Sequence, residues 1–263
     1  MNITDFSPRQ VYDKYRRGAR KELGQNFIFD EGINRRIVDT ANLEDKVVLE
    51  VGPGPGGLTL EILRRNVRKL YVVEYDGHWC DVWRDLQKYT PKLELIQCDA
   101  LKFDVRSIRP QVIVSNLPYN ISTKLLFQWL PNFDLFEELV LMFQKEVADR
   151  IIASPRTKDY GQLSVMVQWL SDVSKIFDLS PEDFFPSPKV HSSVLRFVPR
   201  RVDVAKYSLF EDFLKKAFLQ RRKILKKNVS LEIMQKLYEM GYAENLRAEE
   251  ISVEDYIQLI PSL

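Results

Sequence analysis

The sequence predicts an α/β fold, in which a parallel sheet is covered by helices on both faces and followed by a small all-α domain. Three observations predict it. Short, continuously apolar, β-branched runs at residues 47–49, 70–73, 93–96, 112–114 and 139–143 alternate with longer amphipathic stretches. Strands buried on both faces have this composition. A glycine-rich turn, Gly52-Pro53-Gly54-Pro55-Gly56-Gly57, stands between the first run and a helical pattern at 58–63. Beyond Arg201, Phe210, Phe213, Leu214, Ala217 and Phe218 recur at three- and four-residue spacing, the period of a helix.

Taken in order, the run at 70–73 leads into a helical stretch at 79–86, and the run at 112–114 into another at 123–130. Pro181, Pro186, Pro188 and Pro199 punctuate a looped region beside two late strands, at 173–179 and 193–198. The expected organisation is a basic N-terminal extension over 1–20, a main domain over 21–200 and a helical domain over 201–263.

Composition narrows the function classes. The chain of 263 residues is 45% hydrophobic and 29% charged, an ordinary globular balance. No apolar run approaches the ~18 residues of a membrane span. The polar N-terminus lacks the apolar stretch of a signal peptide, so a cytoplasmic protein is expected. Cys80 and Cys98 show no metal-ligand spacing, and His78 and His191 are the only histidines. No metal site is expected, and a nucleophile–histidine mechanism is disfavoured. Net charge is only +2, but basic residues cluster. One run holds Lys14, Arg16, Arg17, Arg20 and Lys21; a second holds Arg64, Arg65, Arg68 and Lys69. The densest contains Arg221, Arg222 and Lys223. Three such runs favour a phosphate backbone as partner, although a solvated helix face has the same composition.

Four successive strand ends carry the candidate site. Gly52, Gly54 and Gly57 follow the first strand, with the spacing of a dinucleotide-binding turn. Glu74 ends the second, where a carboxylate can accept the hydroxyls of a ribose. Asp99 ends the third and can accept from an adenine amine. Asn116 ends the fourth and opens Asn116-Leu117-Pro118-Tyr119. Each alone could be a loop residue or a helix cap; together they favour a nucleoside cofactor at the carboxyl edge of the sheet. An NAD enzyme would also need an acid, base or metal for the accompanying proton, and neither histidine is well placed. Methyl transfer from S-adenosylmethionine has no such need, because the sulfonium already carries its leaving group and placement suffices.

Asn116-Leu117-Pro118-Tyr119 suits a flat ring bearing an amine. Proline ends the strand and holds the preceding residue extended. The Asn116 side-chain carbonyl and the Leu117 backbone carbonyl can then accept the two amine hydrogens, and Tyr119 offers a face for stacking. Accepting those hydrogens favours pyramidalisation and directs the nitrogen lone pair at the methyl carbon.

With these blocks in place, the chain resembles the KsgA/Dim1 family of ribosomal RNA adenine dimethyltransferases. The resemblance runs from about Lys21 to Asn228. It is carried by Gly24-Gln25-Asn26-Phe27-Ile28, the glycine turn, Val73-Glu74, Cys98-Asp99-Ala100 and Asn116–Tyr119. It continues through Gln144-Lys145-Glu146-Val147, Phe184-Phe185-Pro186-Ser187-Pro188 and Gln220-Arg221-Arg222-Lys223. It implies a Rossmann-like class I methyltransferase domain and a helical C-terminal domain. It also implies transfer of four methyl groups to two adjacent adenosines near the 3′ end of small-subunit ribosomal RNA. By position, Asn26 and Ile28 would border the methionine end of S-adenosylmethionine, with Gly52 beneath it. Glu74 would hold the ribose, Asp99 the cofactor's adenine, and Asn116 both cofactor and target. Tyr119 and Phe184 would sandwich the target base, although Phe184, one of two adjacent phenylalanines, is also a core candidate. Ser187 and His191 depart from the family's usual residues. Leu117 leans away from the sister family of erythromycin-resistance enzymes, which methylate large-subunit RNA. A non-catalytic ribosome assembly factor is the rival from outside the class. A monomer is expected.

Overall fold

The structure is a computed structural model, and it describes residues 3–15, 24–220 and 223–263. They form two compact units. The first comprises residues 1–148 and 174–199, and the second residues 149–173 and 200–263.

The first unit is built on a sheet whose strands fall where the apolar runs predict. These are β1 (Val47–Val51), β2 (Lys69–Glu74), β3 (Leu93–Gln97), β4 (Val112–Asn116) and β5 (Glu138–Gln144). The late strands are β6 (Ser171–Leu179) and β7 (Ser192–Pro199), and the order is β3-β2-β1-β4-β5-β7-β6. β1 to β5 pair in parallel, as their apolar runs predict, and β7 runs antiparallel to β5, which makes the sheet as a whole mixed. From β5 the chain passes through residues 145–170 into the edge strand β6, and only then does the proline-rich segment turn it back into β7. Strand order reverses between β1 and β4, the place where open α/β sheets leave a crevice.

Helices α1 (Pro8–Tyr15), α2 (Glu31–Val38), α3 (Gly57–Leu63), α4 (Gly77–Leu86) and α5 (Ser122–Trp129) belong to this unit. Asp30 caps α2 by accepting from the Ile33 amide at 2.9 Å, and Asp76 caps α4 by accepting from His78. The N-terminal extension is not merely a basic arm. Ile3 and Val11 are buried in the core, and Tyr12 packs edge-on against Phe29 with ring centroids 5.3 Å apart. Of its basic residues Lys14 lies in α1; Arg16, Arg17, Arg20 and Lys21 fall outside the described residues.

The second unit takes α7 (Gln162–Leu170), α8 (Tyr207–Phe218), α9 (Leu231–Glu239) and α10 (Val253–Leu259). Its later segment begins at Arg200, and it also takes in residues 149–173, which the linear reading gave to the main domain. α7 buries every residue except Gln162 and Gln168. Trp169 packs edge-on to Phe210, centroids 4.9 Å apart, and stacks with Tyr207 at 6.1 Å. A helix buried on nearly every side needs cover from more than one neighbour. α6 (Lys145–Ile151) carries the chain across the boundary. Among the described residues no helix is long and apolar enough to cross a membrane.

Candidate active site

A cavity opens at the carboxyl edge of β1, β2 and β4, wholly within the first unit. The strand ends that wall it are tied to one another. Gly52 donates its amide to Val73 O at 2.9 Å, Cys98 to Glu74 O at 3.0 Å, and Ser115 Oγ to Val51 O at 2.7 Å. Asn26, Ile28, Gly52, Gly54, Glu74, Asp99, Asn116, Leu117 and Tyr119 all line it, so the sequence-predicted cofactor residues converge on one space. Phe184 does not line it. That side chain is 5% exposed and lies in the core, whereas its neighbour Phe185 is 45% exposed.

The glycines of the turn are required by shape. Gly56 has φ of +92°, and a Cβ there would lie 2.6 Å from Trp83 Cη2. The Trp83 indole also donates to Gly54 O at 2.9 Å, which clamps the turn from below. A Cβ on Gly57 would stand 2.8 Å from the backbone oxygen of Ile28. The turn and the segment 24–28 therefore approach as closely as backbones can, and the ligand wall between them is main chain.

Glu74 is buried, and its Oε1 accepts from the amides of Tyr75 and Asp76, both at 2.8 Å. The Gly54 amide also donates to this carboxyl. Burial pushes the Glu74 carboxyl up to about 7 against the pull of those amides. Glu50, at the end of β1, was not singled out from the sequence as a site residue. It is 2% exposed, lines the same cavity and accepts from Thr59 Oγ1 at 2.6 Å. Burial, with the nearby Glu74 charge adding to it, raises its carboxyl to about 8. Asp99 Oδ1 caps a short turn by accepting from the Leu101 amide at 3.0 Å.

The sign of the pH dependence follows. Both carboxyls have folded values above their ordinary 4.5, so the folded chain holds more protons than the unfolded one between that value and about 8. Their stabilising contribution is complete below about 4.5 and is lost as pH rises through about 7 and then about 8. Glu50→Gln should raise the melting temperature of the ligand-free protein at about pH 9 and flatten its fall between about pH 6 and 9. Thermal melts across that range check it; an unaltered slope would contradict the assignment.

Asn116 is held by its own amide. Nδ2 donates to Asn26 O at 2.9 Å, which fixes the flip and leaves Oδ1 as an acceptor. Among the described residues no amide donates to the Leu117 carbonyl. Two acceptors therefore stand side by side at the strand end. Tyr119 is partly buried and its carbonyl accepts from Ser122 Oγ at 3.2 Å.

Several other lining residues escaped the sequence reading. Asn34 on α2 is fully buried, and its Nδ2 donates to Ile28 O at 3.1 Å. Gln25 Nε2 donates to Asp76 at 3.1 Å, and Tyr75, 65% exposed, lies at the rim. A buried asparagine on an unanticipated helix leaves no signal in a single sequence. Tyr75 was legible from its place beside Glu74.

The lining contains three carboxylates, Glu50, Glu74 and Asp99, and among the described residues no Lys, Arg or His. A pyrophosphate would find no cation among these side chains, whereas a positively charged nucleoside would favour the ionised forms of the carboxyls. The donor set and the glycine cradle therefore fit S-adenosylmethionine and disfavour NAD. Among the described residues no cluster of three metal-ligating side chains occurs.

The basic runs differ in use. Arg64 pairs with Glu61 and Glu31, Arg65 with Asp39 at 2.5 Å, Arg68 with Asp45 at 2.7 Å and Lys69 with Glu94 at 2.9 Å. That run is spent on ion pairs within the unit. Lys223, in the second unit, lines a cleft with Arg156, Lys158 and Arg247. Arg221 and Arg222 lie outside the described residues.

Comparison with known proteins agrees with this site. The chain is 40% identical over 267 residues to the ribosomal RNA small subunit methyltransferase A of Rhodospirillum rubrum, covering 95% of this chain and 90% of that protein. It is 41% identical over 270 residues to the protein of the same name from Xanthobacter autotrophicus, covering 98% and 94%. Among solved structures, a dimethyladenosine transferase from Plasmodium falciparum superposes with TM-score 0.79 at 24% identity, covering 90% of this chain and 96% of that one. The 23S rRNA methyltransferase ErmE superposes with TM-score 0.68 at 25% identity, covering 90% and 99%. The sequence profile described as ribosomal RNA adenine dimethylase matches residues 16–263. With a class I methyltransferase fold, an acidic nucleoside cavity and paired acceptors beside Tyr119, this chain belongs to the ribosomal RNA adenine dimethylase family.

Proposed function

We propose that this chain dimethylates the exocyclic amines of two adjacent adenosines near the 3′ end of small-subunit ribosomal RNA. It would act as a cytoplasmic monomer on a small-subunit assembly intermediate. The observation that carries this reading is that Asn116, its Oδ1 left as an acceptor, and Leu117 line a cavity that holds three carboxyl groups and, among the described residues, no cation.

S-adenosylmethionine, when bound, supplies a methyl group on a positively charged sulfur. The chain's own residues bind and orient. Glu74 takes ribose hydroxyls, Asp99 takes the adenine amine, and Asn26, Ile28 and Gly52 border the methionine end. A cation beside Glu50 and Glu74 favours their ionised forms, so binding releases protons near neutral pH. Asn116 and Leu117 accept the hydrogens of the target amine and turn its lone pair away from the ring. A neutral acceptor is the right choice at Asn116, since a carboxylate there would compete for the sulfonium. No strong base is needed, because the nitrogen becomes very acidic once methylated.

The target base must leave its stack at a cost of a few kcal/mol. Stacking on Tyr119 offsets this at roughly 1–3 kcal/mol per stacked base, whereas Phe184, buried in the core, does not supply the second face. Arg221, Arg222 and Lys223 would dock phosphates, contributing affinity without reading sequence.

The test is methyl transfer from labelled S-adenosylmethionine to unmethylated small subunits, with large subunits in parallel and the product located by mass spectrometry. Dimethyladenosine confined to the small-subunit 3′ end is expected. Label only in large subunits would establish the erythromycin-resistance reading instead. Label in neither, with cofactor bound, would establish a non-catalytic assembly factor.

A further inference from the structure

Tyr119 is held at both ends. Its carbonyl is tied to Ser122, and its hydroxyl lies 2.5 Å from Ser192 Oγ. Ser192 opens β7, is fully buried, and sits opposite Gln144 of β5 in the antiparallel register. Side chains alternate across a strand, and the next residue shows the alternation. Ser193 Oγ donates to Asp178 Oδ1 at 2.6 Å, a partner separate from Tyr119. A single hydroxyl of β7 is thus committed to the ring.

A tyrosine that serves only as a stacking face needs no hydroxyl, since phenylalanine presents the same surface. Burying a phenol without a partner carries a desolvation cost, and here the partner is supplied by a strand rather than by water. Burial keeps the Tyr119 hydroxyl above its ordinary value, so it is a neutral donor or acceptor and not a base. Its remaining use is as a handle. The hydroxyl oxygen lies on the χ2 axis, so a bond there does not set the ring's tilt; it fixes χ1, and with it the place of the ring, before a base arrives.

We propose that Ser192 is a positioning residue for methyl transfer, whose hydroxyl fixes χ1 of Tyr119 and so the place of the ring against which the target adenine stacks. This rests on the reading of Tyr119 as the stacking platform. Ser192 itself touches neither cofactor nor base in this role. Because β7 directly follows the proline-rich loop, the anchor also links the ring to that loop.

The experiment is a double-mutant cycle with unmethylated small subunits as substrate: Ser192→Ala, Tyr119→Phe and the pair, with Tyr119→Ala alongside. Each single change of the hydroxyl pair should lower kcat roughly five- to tenfold, the value of one hydrogen bond. The calorimetric Kd for S-adenosylmethionine should stay within about twofold. The double variant should be no worse than either single one, because both remove the same bond. Ser192→Thr, which keeps the hydroxyl, should recover most of the rate. A full Ser192→Ala loss persisting in the Tyr119→Phe background would overturn the proposal, as would an unchanged kcat. Should Ser192→Ala fail to fold, the near-isosteric Ser192→Cys carries the same comparison. Tyr119→Ala separates the two readings: full activity there removes the platform itself, whereas collapse there with a neutral Ser192→Ala removes only the anchor.

Discussion

Asn116→Ala is expected to lower kcat on small-subunit RNA by roughly two to three orders of magnitude, the loss seen when one aligned transition-state partner is removed. RNA affinity should change only a few-fold, because one acceptor contributes little to ground-state binding. That separation marks an interaction made mainly in the transition state. The geometry gives a second arm. Asn116 Nδ2 donates to Asn26 O at 2.9 Å, so Asn116→Asp would place a carboxylate oxygen against a carbonyl and lose the orienting bond. Asparagine alone among the near-isosteres supplies both the donor behind and the acceptor in front. Aspartate should therefore fail almost as badly as alanine, by single-turnover rates measured at saturating cofactor. Equal losses in kcat and RNA affinity would contradict the role assigned to Asn116.

Gly57→Ala has the second-largest expected effect, and competing magnitudes decide its sign. Gly57 begins α3, where alanine gains up to about 1 kcal/mol in helix propensity. Against this, the new Cβ would meet Ile28 O at 2.8 Å and the Asn34 amide at 3.0 Å. The first is main chain and cannot swing away; the second is fixed by its own bond to Ile28 O. The segment carrying Asn26 and Ile28 must move back, and with it the wall proposed to border the methionine end. Cofactor affinity should fall by more than about tenfold, or about 1.4 kcal/mol, by calorimetry. Unchanged affinity would mean that the segment yields without altering the cavity.

Legibility in the sequence tracked the locality of the physics. β1 to β5 were readable because a strand buried on both faces is apolar throughout, and a strand end is marked by the first polar residue. Glu74 and Asn116 lie at the ends of β2 and β4, and Asp99 two residues beyond β3, so three separate positions met in one cavity. Residues fixed by long-range packing were not readable. Asn34 became part of the wall only once α2 lay against the glycine turn. Glu50 reads as a routine strand residue until its burial is known. The capture of 149–173 by the second unit depends on partners some 40 residues downstream, such as Phe210 against Trp169. Phe184 and Phe185 were indistinguishable in sequence, and in the fold one is core and the other exposed. The basic run at Arg64 showed the opposite failure: its composition suggested a partner, yet its charges are consumed locally.

Phe27 and Phe185 exchange both of their backbone hydrogen bonds, each 2.8 Å long, as an isolated antiparallel bridge. Phe27 lies between the two residues assigned to the methionine end, and Phe185 stands in the proline-rich loop that leads to β7. The cofactor wall and that loop are therefore one mechanical joint. A change that displaces the loop is felt at the cofactor wall without touching a residue that lines it.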